Sequence, residues 1–203
     1  FTGDLFGMEN ATVTISGQQR VDLHSANALP NAGTVTIRDS VFATASDTVY
    51  NGGGVMMIGG TIHTAANITS TKAVNVEAET MLLLDLAIYA DVNETEFISG
   101  YDTMFKTSQE NLNISVNVRE NQTPGDYVLA TNASLFDAGK AITVTTGDDR
   151  AALKLGEMVV VGNNIYELSL TGKSLLLQVS EITLFVCVKR YMFSDTCKPI
   201  YGR

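Results

Sequence analysis

A short, mostly alternating run of apolar positions recurs along the first half of the chain. There are four such runs, Ala11–Ile15, Gly33–Ile37, Gly54–Ile58 and Lys72–Val76. The valines that align within them are Val13, Val35, Val55 and Val74, which gives steps of 22, 20 and 19 residues. Alternation with a period of two predicts β-strands, and a nearly constant step of this length predicts a structural repeat.

Each run is followed by a polar or glycine-containing corner and then by a second short β run. The second runs are Val21–Leu23, Val41–Phe42, Thr61–Ile62 and Met81–Leu82. One repeat cannot bury its own apolar side, whereas equivalent strands stacked about 4.8 Å apart pair with each other and align their apolar side chains. We therefore predict an all-β chain that begins with a short right-handed β-solenoid, similar to a parallel β-helix, over residues 1–90. The alternative is an antiparallel sandwich whose strands happen to look alike.

The densest apolar stretch of the chain is Thr80–Ala90, with the sequence TMLLLDLAIYA. Its pattern fits a helix and a buried strand equally well. We predict that Val74–Ala90 is the last solenoid repeat and that it caps the open end. This stretch contains a cluster of six apolar residues, Met81, Leu82, Leu83, Leu84, Leu86 and Ile88. The cluster is too large for one face of one strand, so we expect both faces of the strand to be covered.

The second half predicts a different arrangement, an antiparallel β module over residues 91–183. Strand-like runs separated by turn residues occur at Asn113–Val118, Tyr127–Ala130, Ala141–Thr145, Met158–Val161, Ile165–Leu170 and Ser174–Val179. Between Met158 and Ser180 the turns are short enough to predict consecutive hairpins. The turn Gly162-Asn163-Asn164 stands where a short hairpin loop requires positive φ.

Two segments of this half, TPGDYVLATNASLFDAGKAITV (Thr123–Val144) and LKLGEMVVVGNNIYELSLTGKSLLLQVS (Leu153–Ser180), carry a resemblance. They resemble the terminal module of very large bacterial surface proteins, and the upstream repeats resemble the passenger regions of autotransporter adhesins. The resemblance covers roughly Ala11 to Ser180 and consists of residue types and turns. It implies a location outside the cytoplasm, associated with the outer membrane, and a structural or adhesive role. It brings no catalytic residues.

The last twenty residues, 184–203, form an atypical tail. Up to Thr183 the chain has 21 acidic and 9 basic residues, a balance of −12, whereas the tail has one acidic and four basic residues, a balance of +3. The only two cysteines, Cys187 and Cys197, also lie in the tail. Three interpretations stay open: a linker, a tail with a Cys187–Cys197 disulfide, or sequence that is out of frame or foreign to the protein.

The negative overall charge argues against one class of partner. A net charge of −9 offers no basic patch that would neutralise phosphates, so we expect no nucleic-acid partner. No apolar run approaches the roughly 20 residues of a membrane-spanning helix. Because the chain opens at Phe1, we expect it to be part of a longer polypeptide.

No set of residues predicts a catalytic, cofactor-binding or metal site. The two histidines, His24 and His63, occupy different places in their repeats, which favours surface histidines. Cleavage of a sugar needs two carboxyl groups roughly 5–10 Å apart. The candidates are Glu77 and Glu79 on one strand and Asp91, Glu94 and Glu96 in one loop. A β-helix lyase would also need basic residues, and the repeats contain only Arg20, Arg38 and Lys72.

Two further patterns have ordinary explanations. Asp148 and Asp149, or the acidic loop at 91–96, offer oxygen ligands for Ca²⁺, but the glycine-rich calcium repeat is absent and solvated loops explain them better. Six Asn-x-Ser/Thr sequences occur, as composition predicts for an Asn- and Thr-rich repeat: Asn10, Asn67, Asn93, Asn113, Asn121 and Asn132.

These patterns together predict a non-catalytic cell-surface or secreted repeat region. The expected partners are host or matrix glycans or proteins. Two alternatives from other classes are a carbohydrate-active β-helix enzyme, which predicts polysaccharide turnover, and a segment of a phage tailspike or fibre, which predicts a stable trimer.

Overall fold

A computed structural model describes the chain as mostly β. It describes side chains at residues 59–64, 67–68, 73–74, 76, 78–88, 96–107 and 109–182, and only the backbone of the remaining residues that form strands or helices. The helices are α1 (Leu86–Tyr89), α2 (Tyr101–Phe105) and a 3₁₀ turn at Gln109–Asn111. The strands are β1 (Thr2–Gly3), β2 (Thr12–Ser16), β3 (Val21–Leu23), β4 (Thr34–Arg38), β5 (Val41–Thr44), β6 (Thr48–Tyr50), β7 (Val55–Ile58), β8 (Thr61–Thr64), β9 (Ile68–Ser70), β10 (Val74–Val76), β11 (Thr80–Asp85), β12 (Glu96–Ser99), β13 (Leu112–Asn117), β14 (Gly125–Ala130), β15 (Ile142–Thr146), β16 (Asp149–Leu153), β17 (Met158–Val161), β18 (Asn164–Thr171), β19 (Ser174–Glu181), β20 (Leu184–Val188) and β21 (Thr196–Ile200).

The described strands form three larger sheets and one hairpin. The eight-stranded sheet has the order β1-β3-β5-β8-β11-β13-β15-β16, the four-stranded sheet β10-β7-β4-β2, and the seven-stranded sheet β17-β18-β19-β14-β12-β9-β6. The four-stranded sheet is parallel throughout, and the other two are mixed, because β16 to β19 are paired antiparallel. β20 and β21 pair with each other.

From β4 to β12 the chain visits the four-, eight- and seven-stranded sheets in that order three times. The predicted register is confirmed: Val13 lies opposite Val35, Val35 opposite Val55, and Val55 opposite Val74, all in parallel pairs. Each pass of the chain therefore pairs with the next one at equivalent residues, as a repeat of nearly constant length requires.

Parallel pairing continues beyond residue 90, where we predicted a change of arrangement. β11 pairs in parallel with β13, β13 with β15, and β12 with β14. The antiparallel pairing predicted for 91–183 is therefore wrong for these strands, and Val74–Ala90 is not the last parallel layer. Turn residues show that the chain changes direction, but they do not show whether it returns beside the previous strand or crosses to another sheet. In this fold the chain crosses, from β13 to β14 and back to β15.

The predicted consecutive hairpins between Met158 and Ser180 are confirmed. β17, β18 and β19 form an antiparallel meander that joins the edge of β14. Gly162, in the β17–β18 turn, has φ of 56°. A Cβ at this position would lie 3.2 Å from the carbonyl oxygen of Glu120, so both the conformation and the close approach favour glycine.

One continuous hydrophobic core runs through the described residues, from Ile62 to Val179. The stretch at 80–90 is a strand as far as Asp85 and a short helix after it. Leu82, Leu84 and Leu86 are fully buried, whereas Met81 and Ile88 are 44% and 66% exposed. The prediction that this cluster is covered on both faces is therefore wrong. β11 buries one face in the core and is hydrogen-bonded to β8 and β13 along both edges.

Candidate functional site

The described surface has a cleft beside the start of β13. Its volume is about 680 Å³ and it opens to solvent. We call it the lysine cleft, and it is lined by Lys106, Thr107, Gln109, Glu110, Asn113, Leu135, Asp137, Gly139 and Lys140. This volume falls within the roughly 300–1,000 Å³ range of small-molecule sites in proteins.

Aromatic packing fixes the two walls of the lysine cleft relative to each other. Phe136, from the loop that follows β14, is buried with its ring centroid 5.9 Å from that of Tyr101 in α2. The ring of Phe105 lies 5.5 Å from Tyr101 on the same helix. Burial, followed by the carboxylates of Asp102 and Asp137, raises the pKa of the Tyr101 phenol above its usual range. Tyr101 therefore stays neutral as part of the core.

Hydrogen bonds hold the loop that carries Leu135 and Lys140. The backbone N–H of Leu135 donates to Asp102 Oδ1 at 3.0 Å, and the N–H of Ala133 donates to the carbonyl of Lys173 at 2.8 Å. The N–H of Lys140 closes a turn on the carbonyl of Asp137 at 3.0 Å. This wall is therefore tied to α2 on one side and to the β18–β19 turn on the other.

Lys140 is the most distinctive group of the lysine cleft. Its ammonium donates to the backbone carbonyl of Gln109 on the facing wall. Burial lowers the pKa of Lys140, and the charge of Asp137 acts in the opposite direction. No carboxylate of the described residues lies within 4.0 Å of this ammonium. The side-chain oxygen of Gln109 is also buried without a hydrogen-bond partner.

A second polar cluster joins three neighbouring strands of the eight-stranded sheet. His63 Nε2 lies 2.9 Å from Asp85 Oδ2, and Asn117 Nδ2 donates to Asp85 Oδ1 at 2.9 Å. The His63 side chain is 20% exposed and that of Asp85 only 7%. The predicted surface histidine is therefore partly buried and paired with a carboxylate. No hydroxyl or thiol of the described residues is hydrogen-bonded to His63.

A third cluster surrounds Glu96, one of the carboxylates considered in the sequence. Glu96 Oε1 accepts from Ser99 Oγ at 2.8 Å and from Thr131 Oγ1 at 2.5 Å. Asn67 Nδ2 donates to the carbonyl of Glu96 at 2.6 Å and to Ser99 Oγ at 2.9 Å. These bonds tie the ends of neighbouring strands together. Among the described residues of this cluster, Glu96 has no second carboxylate beside it of the kind that cleavage of a sugar requires.

Asp148 and Asp149, the calcium candidates, line a shallow depression of about 320 Å³ together with Glu120. All three carboxylates are exposed to solvent. Across the residues with described side chains, no group of three or more His, Cys, Asp or Glu residues converges on a position for a metal ion.

Several residues singled out in the sequence lie outside the described part of the chain: Asn10, Arg20, His24, Lys72, Glu77, Asp91, Asn93 and Glu94. Glu79 is exposed. Asn113, Asn121 and Asn132 are exposed as well, whereas Asn67 is partly buried in the Glu96 cluster. The backbone register of the β20–β21 hairpin places Cys187 opposite Cys197.

Compared with protein-family models, curated proteins and solved structures, the chain matches none. No helix among the described residues is long and apolar enough to cross a membrane.

Sequence reasoning did not single out the lysine cleft. Lys106 and Lys140 are 34 positions apart and belong to no spacing motif. The one local signal was the Asp137–Lys140 turn, DAGK, inside the segment that carries the resemblance. The sequence shows both lysines, but only the folded molecule shows that they line the same cleft.

Proposed function

We propose that this chain is a non-catalytic repeat region of a cell-surface or secreted protein with a structural or adhesive role, similar to an autotransporter passenger. The observation that carries the proposal is the in-register parallel stacking of successive passes of the chain. Stacking of this kind builds an elongated scaffold from local contacts.

In this proposal the three ladders of parallel strands are the faces of a short right-handed β-solenoid. The fixed order in which the chain visits the sheets supports it, and parallel crossover connections are right-handed in nearly all proteins. Partly exposed polar side chains then line up between neighbouring strands, with Asn117 beside Thr145. Such rows suit weak, multivalent contacts with glycans or proteins.

The absence of catalysis is part of the proposal and has its own test. Purified chain is incubated with acidic and neutral polysaccharides, and new reducing ends or unsaturated products are measured. We expect none. Turnover that disappears in Asp85→Asn, which removes the charge beside His63, would contradict the proposal and favour the carbohydrate-active enzyme.

Location is tested on intact cells of the source organism. Antibodies against the chain should label the outside of unpermeabilised cells or detect the chain in the medium, and added protease should remove the cell-bound signal. A signal that appears only after permeabilisation would overturn the proposal.

A further inference from the structure

We propose that the lysine cleft binds a carboxylate-bearing sugar unit of an acidic glycan, with Lys140 as the main contact for the carboxylate. This inference deepens the proposed adhesive function and rests on it. Its basis is the juxtaposition of two lysines, two exposed carboxylates, uncharged polar side chains and one exposed apolar side chain in a cleft whose walls are fixed by core packing.

The environment of Lys140 is the reason to expect a negatively charged ligand. An ammonium that is partly removed from water is stabilised by an anion in direct contact. No carboxylate of the described residues lies within 4.0 Å of Lys140, and the charge of Asp137 acts on it only from a longer distance. Its present partner is a neutral backbone carbonyl, that of Gln109. Lys106 lines the same cleft and adds a second positive charge. A carboxylate entering the cleft would pair with Lys140 through a charge-assisted hydrogen bond.

The other lining residues suit the rest of a sugar. Asn113 and Gln109 offer amide groups, and the side-chain oxygen of Gln109 still lacks a donor. Asp137 and Glu110 are exposed acceptors for hydroxyl groups. Leu135 is 48% exposed at the cleft and offers an apolar surface to the C–H face of a sugar ring. This combination of acceptors, donors and one apolar side chain favours a hydroxylated anion over a purely inorganic one.

The cleft is also organised before any ligand arrives. Phe136 is anchored against Tyr101 in the core, and the N–H of Leu135 is bonded to Asp102. Binding therefore does not have to order the loop first, which lowers the entropic cost of association. A single cleft of this kind would bind weakly, and repetition on a surface would strengthen attachment.

The test is isothermal titration of the purified chain with short galacturonate oligosaccharides, with the corresponding neutral galactose oligosaccharides and inorganic phosphate in parallel. We expect binding of the galacturonates that weakens as salt is raised, and no measurable binding of the neutral sugars. Lys140→Met should reduce affinity at least about tenfold, because it removes a charge-assisted hydrogen bond. Asn113→Asp adds a third carboxylate to the two of Glu110 and Asp137 in the cleft and should reduce affinity similarly.

Lys154→Met is the matched control, because Lys154 is an exposed lysine outside the lysine cleft. It should bind like the unchanged chain, and thermal unfolding of all variants shows whether each remains folded. The inference is overturned if galacturonates do not bind, if neutral sugars bind equally well, if phosphate displaces the galacturonate at similar concentration, or if Lys154→Met weakens binding as much as Lys140→Met. Labelling of intact cells is independent of this titration, so a chain displayed outside the cell that binds no galacturonate would refute the ligand and leave the proposed function standing.

Discussion

At the scale of single residues, two buried tyrosines differ in what their hydroxyl groups meet. The hydroxyl of Tyr127 donates to the carbonyl of Thr123 at 2.6 Å and accepts from Gln122 Nε2 at 3.0 Å. The hydroxyl of Tyr101 is equally buried but has no hydrogen-bond partner. An unsatisfied buried hydroxyl costs free energy, whereas a satisfied one contributes to stability.

We therefore expect opposite effects from the same substitution at these two positions. Tyr101→Phe should raise the free energy of unfolding by up to about 1 kcal/mol, because it removes an unpaired polar group. Tyr127→Phe should lower it by about 1–3 kcal/mol, because Gln122 and Thr123 lose their partner. Urea unfolding followed by circular dichroism measures both. Equal losses of stability in the two variants would contradict this account of Tyr101.

The Tyr101 phenol also predicts how stability depends on alkaline pH. Its pKa is raised in the folded chain above the usual 10.0, chiefly by burial. Titration of Tyr101 therefore leaves the free energy of unfolding unchanged below about pH 10 and lowers it as pH rises further, because only the unfolded chain then releases the proton. The stability difference between Tyr101→Phe and the unchanged chain should widen above pH 10 in favour of the variant. The measurement should extend to about 1.5 pH units above the usual tyrosine pKa. If the stability difference between the two chains stays constant over that range, the phenol ionises in the folded chain as readily as in the unfolded one.

At the scale of elements, β11 shows how pairing decides between two structures that the sequence allowed. Thr80–Asp85 is a strand because β8 and β13 supply backbone partners on both of its edges. The strand faces then differ: Leu84 is 1% exposed and Met81 is 44% exposed.

This difference gives a paired test on one strand. Leu84→Asp should cost about 3–5 kcal/mol by placing an unpaired charge in the core, which is a large part of the total stability of most domains. We expect aggregation or loss of soluble protein. Met81→Asp, on the exposed face, should stay soluble with a nearly unchanged melting temperature. A soluble Leu84→Asp variant with an unchanged melting transition would mean that Leu84 does not lie in a core.

At the scale of the whole molecule, the eight-stranded and the seven-stranded sheets each end at one edge in antiparallel strands. β16 covers the edge of β15, and the β17–β19 meander covers the edge of β14 and approaches β16. Tyr166, Leu168 and Leu153 from these strands are fully buried. An unprotected end of stacked parallel strands would expose unpaired N–H and C=O groups and apolar side chains. The segment 149–182 therefore fits the role of a cap better than Val74–Ala90 does.

Truncation separates this segment from the atypical tail. A chain that ends at Ile182 should keep the unfolding transition of the full chain, because β20 and β21 pair only with each other among the described strands. A chain that ends at Gly147 should aggregate, because β14 and β15 lose their outer partners. Light scattering and thermal unfolding measure both. A soluble, cooperatively folded chain ending at Gly147 would refute the assignment of a cap.

The sequence by itself determined the features that depend on neighbouring residues or on a regular repeat. The aligned valines Val13, Val35, Val55 and Val74 predicted their own register, because stacking at constant spacing brings equivalent residues together. The turn at Gly162 predicted its hairpin, because few residues adopt positive φ without strain.

Only the tertiary structure decided which sheet each strand joins after residue 90. β13 and β15 have the same local pattern whether they pair in parallel or antiparallel, and the path of the connection through β14 settles the direction. The lysine cleft, too, is a product of the tertiary structure. Lys106 and Lys140 share it because Phe136 packs on Tyr101, a contact between segments far apart in the chain that leaves no spacing pattern in the sequence.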